Sequence, residues 1–124
     1  MEKKKILIIE DDKSLVSILR GAIDLEKFGI TLALEAQEGI EKAILEHPDL
    51  IVLDILLPGQ SGFECLQILK ERKETRNIPV IILSNLGQEE EIRKGLELGA
   101  VDYLVKADYS IDKVINKITK TIKK

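Results

Sequence analysis

Three short runs of uninterrupted apolar residues set the narrowest limits on the fold of this chain: residues 5–10 (KILIIE), 50–54 (LIVLD) and 79–84 (PVIILS). None alternates apolar with polar residues. A strand built from any of them must therefore be covered on both faces. Helical spacing separates the runs. Residues 13–28 place Leu15, Ile18, Leu19, Ala22, Ile23 and Leu25 near one another on a helix, with Asp12 as N-cap and Gly29 as stop. Residues 37–46, 61–72, 88–98 and 110–122 read as four more helices. The first of these ends at His47-Pro48, the third at Gly99, and Ser110 caps the last. Two further strands remain. Residues 30–35 (ITLALE) alternate, with Ile30, Leu32 and Leu34 on one face, which suits a half-exposed edge; residues 101–105 (VDYLV) form the fifth strand.

Strand and helix thus alternate five times. Each crossover is long enough to be a helix, so the sheet is parallel with helices on both faces. Three continuous apolar strands need central places and the alternating one needs an edge. The expected fold is α/β, a flavodoxin-like (βα)5 doubly wound parallel sheet of strand order 2-1-3-4-5. At 124 residues, one core and one domain spanning residues 1–124 are expected. In that order the chain reverses direction between strands 1 and 3, and ligands of such sheets sit there, beyond the carboxyl ends of the strands.

Composition removes other classes. The net charge of −3 gives no general attraction to nucleic acid or anionic membranes. The longest apolar runs fall far short of the roughly 20 residues that span a bilayer. The apolar run behind the charged N-terminus ends at Glu10, too soon for a secretory signal. A single cysteine, Cys65, rules out an intramolecular disulfide and a cysteine-based metal site, and is expected to pack inside the third helix. The expected location is the cytoplasm, with no membrane contact. The acidic run Glu89-Glu90-Glu91 and the lysines of the last helix read as solvated helix surface, with signs that suit the helix dipole.

The polar residues at the strand ends carry the chemistry. Strand 1 ends in Glu10-Asp11, strand 3 in Asp54, strand 4 in Ser84 and strand 5 in Lys106. Singly, each has an ordinary explanation: a helix N-terminal acid, a loop cap, a strand-end hydroxyl, a surface lysine. The fold gathers all of them at one rim. Three carboxylates in such proximity repel and raise one another's pKa, and a hard divalent cation relieves them. An all-oxygen site with room for water suits Mg²⁺, with Mn²⁺ as the alternative. The lysine and hydroxyl beside it suit a transferable phosphoryl dianion.

The segments LIIEDD, LIVLDILLPGQSG, PVIILSN and GAVDYLVK resemble the receiver domains of response regulators in two-component signalling, over essentially the whole chain. The resemblance implies that Asp54 accepts a phosphoryl group from a histidine kinase or phosphotransfer protein. It implies that Glu10, Asp11, Asp54 and the backbone carbonyl of Leu56 hold Mg²⁺, directly or through water. Ser84 and Lys106 would each meet a phosphoryl oxygen. Tyr103 matches the aromatic switch residue, which turns inward when the phosphoryl group recruits Ser84, and Pro58 and Gly62 match the turn after the phosphorylation site. Output would run through helix 4, strand 5 and helix 5 to a downstream protein target, with no direct nucleic-acid contact. The chain would act as a monomer, with a phosphorylation-dependent homodimer as the alternative, and would not be a conventional turnover enzyme.

Departures from the family pattern are Ala107, where proline usually follows the lysine, and Asn85, where a small residue usually follows the hydroxyl. The Lys106-Ala107 peptide is expected to be trans, because a cis bond before a non-proline residue costs about 2.5–4 kcal/mol. Leu56 and Leu86 occupy two positions that flank the approach of hydrolytic water, so a long-lived phosphoryl group is expected. Three rivals fit less well. A dehalogenase-type phosphatase needs a second aspartate where Leu56 stands. A flavodoxin needs a hydroxyl-rich loop where Glu10-Asp11-Asp12 would repel a phosphate. A P-loop is absent. His47 lies at a helix end away from the rim and reads as a structural or surface residue. A stand-alone, protein-binding regulator is the favoured expectation, with a receiver cut from a longer regulator as the alternative.

Overall fold

The structure, a computed structural model, describes residues 3–123. Its elements are β1 (Lys4–Ile9), α1 (Lys13–Ala22), β2 (Phe28–Ala33), α2 (Ala36–Glu46), β3 (Leu50–Leu53), α3 (Gly62–Glu71), β4 (Val80–Ser84), α4 (Glu89–Glu97), β5 (Asp102–Val105), a short 3₁₀ turn (Lys106–Asp108) and α5 (Ile111–Lys123). The five strands are parallel in the order β2-β1-β3-β4-β5, as the apolar pattern requires.

Alternation along each strand divides the core into two layers. Leu7 and Ile9 of β1, Ile51 and Leu53 of β3 and Ile82 of β4 point to one side, where Ala36, Ile40 and Ala43 of α2 and Cys65, Leu66 and Leu69 of α3 cover them. Ile6 and Ile8, Leu50 and Val52, Ile81 and Leu83 point to the other, against Val16 and Leu19 of α1 and Val114 and Ile118 of α5. Full burial of each Val, Leu or Ile side chain among them contributes about 1.5–3 kcal/mol.

Helix ends follow local chemistry. Asp12 caps α1, its Oδ1 accepting from the N–H groups of Ser14 at 3.0 Å and Leu15 at 3.2 Å. Ser61 Oγ accepts from Phe63 N–H at the start of α3, and Ser110 Oγ from Lys113 N–H at the start of α5. His47 closes α2 in the left-handed conformation, at φ 49°.

The segment between α1 and β2 corrects the sequence expectation. The helix stops at Ala22, not near residue 28, and Gly29 lies inside β2, paired with Lys5. Asp24 is the reason. Its side chain accepts from Glu26 N–H and its carbonyl from Lys27 and Phe28 N–H, forming a turn where the helix would have continued. Leu25 keeps the helical spacing by accident and stays 48% exposed. Phe28, buried against the α1–α5 layer, starts the strand two residues early. At the other end, Leu34 lies beyond β2 and is exposed, so only Ile30 and Leu32 of the expected face pack on the core.

Candidate functional site

Ladder bonds continue one residue past β1 and β3: Glu10 N–H donates to Ala33 O of β2 at 2.9 Å and Asp54 N–H to Ile9 O of β1 at 3.0 Å. These bonds hold Glu10 and Asp54 side by side at the carboxyl edge, at 3% and 4% exposure. Lys106, the first residue after β5, reaches across to both. Its Nζ lies 2.8 Å from Glu10 Oε1 and 3.0 Å from Asp54 Oδ2. The second oxygens also have donors: Asp12 N–H for Glu10 Oε2 and Leu56 N–H for Asp54 Oδ1. Asp11 adds an exposed carboxylate, and one oxygen each from Glu10, Asp11 and Asp54 falls within 4.8 Å of the others.

Three acids against one lysine leave the cluster negative, and the protein answers by proton affinity. Burial pushes the Glu10 carboxyl up to about 7, and the nearby Asp54 adds to this, while Lys106 and the Asp12 N–H oppose it. Burial alone would lower the pKa of Lys106; its bonds to Glu10 and Asp54 outweigh that and raise it. A clustered, all-oxygen donor set with too little positive charge fits a divalent cation.

The other expected residues sit around this cluster. Ser84 is fully buried at the end of β4, and its Oγ accepts the Leu86 N–H at 3.4 Å. No hydrogen bond among the described residues joins it to Asp54 or Lys106. Tyr103 already points inward, 6% exposed, and its hydroxyl donates to the Leu86 carbonyl at 2.6 Å. Burial pushes the Tyr103 phenol up to about 12, helped by the charges of Glu91 and Asp54. Leu56 is 51% exposed beside Asp54, whereas Leu86 packs partly on the core. Asn85 and Ala107 are exposed, and no cis peptide occurs among the described residues, so Lys106-Ala107 is trans. Cys65 is buried, which pushes its thiol up to about 12.

Sequence reasoning missed the backbone bonds of Leu86. Leu86 is held at both ends, by Ser84 at its N–H and by Tyr103 at its carbonyl, so one residue links the two side chains. Residue spacing gives side-chain positions and carries no sign of this. Gly62 is more legible. A Cβ there would overlap the Asp54 carbonyl oxygen and stand 2.5 Å from Ile55 Cα, so only glycine lets α3 start this close to the site.

Residues 6–119 match the family described as response regulator receiver domain. The chain is 39% identical over 102 residues to the phosphate regulon transcriptional regulatory protein PhoB of Rhizobium meliloti, covering 82% of this chain and 45% of that one. It is 37% identical over 103 residues to the alkaline phosphatase synthesis transcriptional regulatory protein PhoP of Bacillus subtilis, covering 83% and 42%. The chain thus spans less than half the length of these two relatives. The solved receiver domain of the Francisella response regulator 1452 superposes with a TM-score of 0.87 at 31% identity, covering 98% of each chain.

Proposed function

This chain belongs to the receiver-domain family of two-component response regulators, and on that premise we propose that Asp54 is its phosphoacceptor, charged by a phosphohistidine of a sensor histidine kinase or phosphotransfer protein. The observation that carries the assignment is the Lys106 ammonium bridging two buried carboxylates, 2.8 Å from Glu10 and 3.0 Å from Asp54. A buried acid that faces a lysine on one side and two further acids on the other is built to bind a dianion together with a cation.

An Asp54 carboxylate oxygen attacks phosphorus. The phosphorus–nitrogen bond of the donor breaks, its electron pair stays on the imidazole, and an acyl phosphate forms on Asp54. Glu10, Asp11, Asp54 and the Leu56 carbonyl are the oxygens that would hold Mg²⁺, or Mn²⁺ in its place. The metal would supply charge neutralisation at the phosphoryl oxygens. Lys106 exchanges its bond to Asp54 Oδ2 for one to a phosphoryl oxygen. The Ser84 hydroxyl donates to another while its oxygen still accepts the Leu86 N–H, and Tyr103 is the switch residue that this favours in its inward place, where its hydroxyl donates to the Leu86 carbonyl.

The change is read on the face of α4, β5 and α5 by a downstream protein. Lys117 of α5 pairs with Asp102 of β5 at 3.3 Å on that face. These residues act as one receiver unit, monomeric unless phosphorylation pairs two copies, and engage proteins, not nucleic acid. The self-phosphorylation and its reversal are single events of a switch and not turnover of a substrate. No described helix is long and apolar enough to cross a membrane, and a cytoplasmic place is part of the proposal. Intact mass after incubation with acetyl phosphate and Mg²⁺ tests the core of it. One phosphoryl mass should appear on the wild type and none on Asp54→Ala; equal labelling of both refutes the assignment.

A further inference from the structure

Tyr103 pairs with Ile82 across the β4–β5 ladder, so both side chains leave the sheet on the side of α4. There they meet Gly95, a buried glycine in the last turn of α4. Glycine is a poor helix former, and Gly95 does not take a positive φ that would call for glycine. Its reason is packing. A Cβ on Gly95 would stand 2.6 Å from Ile82 Cδ1, and 2.8 and 3.1 Å from Tyr103 Cδ2 and Cε2. The first two distances are shorter than carbon atoms approach without displacement. The inward ring is therefore fixed at both ends: its edge lies where a side chain of residue 95 would be, and its hydroxyl is held by the Leu86 carbonyl.

Resting on the switch role assigned to Tyr103 above, we infer that Gly95 is the positioning residue of that switch: the side chain it lacks is the space that the inward ring occupies. The size of residue 95 then sets the balance between inward and outward Tyr103, independently of the phosphorylation chemistry at Asp54. Ile82 is fully buried between neighbours on β3 and β5 and has little room to yield. An added methyl group displaces the ring in preference. Because the ring hydroxyl anchors Leu86, whose N–H is bonded to Ser84, expulsion also loosens the link back to the site.

The test uses the fact that the chain has two tyrosines and no tryptophan. In a Tyr109→Phe background Tyr103 is the sole reporter of ultraviolet fluorescence, and acrylamide quenching measures its exposure without any phosphodonor. Gly95→Ala should raise the quenching constant from that of a shielded phenol towards that of free tyrosine. A folded Gly95→Ala protein whose Tyr103 remains shielded overturns the inference. If Gly95→Ala does not fold, the Tyr103→Ala, Gly95→Ala double variant decides. Folding of the double variant shows that the ring was the obstacle; failure of both shows that residue 95 clashes elsewhere and is not tied to the switch. Phosphoryl labelling of the wild type is measured separately. Its absence would defeat the phosphoacceptor assignment, while the quenching still decides the role of Gly95.

Discussion

Lys106→Ala should destabilise the unphosphorylated protein in a pH-dependent way. The ammonium is the sole side-chain cation on Glu10 and Asp54 among the described ion pairs, both acids being under 5% exposed. Removing one partner of such a buried pair costs about 3–5 kcal/mol, and the slight exposure of Lys106 points to the lower end. Protonation sets the sign. The folded Glu10 carboxyl, at about 7, holds its proton more tightly than the unfolded one at 4.5. Its contribution to stability is therefore present below pH 4.5 and is lost as pH rises towards 7, a loss of about 3 kcal/mol in metal-free wild type. In Lys106→Ala the ammonium no longer opposes burial, so the loss continues above pH 7. Urea unfolding at pH 5 and pH 8, with and without Mg²⁺, is the assay. The deficit of the variant should be larger at pH 8 than at pH 5, by about 1 kcal/mol for the one pH unit over which the variant alone still loses stability, and reduced by Mg²⁺. An equal deficit at both pH values, or none at pH 8, would refute the electrostatic account of the cluster.

The raised Glu10 pKa also predicts that a proton competes with the metal, so Mg²⁺ affinity by calorimetry should weaken about tenfold between pH 8 and pH 6; a flat profile would mean that Glu10 does not take part. Leu56→Asn should shorten the life of the phosphorylated form, because the exposed Leu56 side chain beside Asp54 gives a hydrolytic water nothing to bond to. Decay of the phosphorylated mass after donor removal reads this, and unchanged decay contradicts it. The expected contribution of Leu86 is smaller, since it packs on the core. Gly62→Ala should lower the unfolding midpoint, by about 1–3 kcal/mol of overpacking, and slow labelling of Asp54, since the new methyl group presses on the Asp54 carbonyl. A variant with unchanged stability would show that the α3 start can shift freely.

The sheet was legible because three strands lack any polar alternation, a pattern that has few solutions, and the strand-end acids followed from the order of the sheet. Glu10, Asp54 and Lys106 lie up to 96 residues apart in sequence and meet within 3.0 Å. The end of α1 was not legible. Leu25 mimics a core position by its spacing, and only the Asp24 turn and the burial of Phe28 show otherwise. Leu34 misled for the same reason: alternation persists beyond the last ladder bond. The bonds of Leu86 and the space at Gly95 depend on distances between elements, on which local propensity and periodicity are silent.

The central claim is that the phosphoryl group resides on Asp54, and chemical trapping tests it most directly. Borohydride reduces an aspartyl phosphate to homoserine and leaves free carboxylates unchanged. After incubation with a phosphodonor and Mg²⁺, reduction, proteolysis and peptide sequencing by mass spectrometry should find homoserine at position 54 and at no other aspartate. Homoserine at Asp11 or Asp12, or a phosphoryl group that survives borohydride on another residue, would contradict the account.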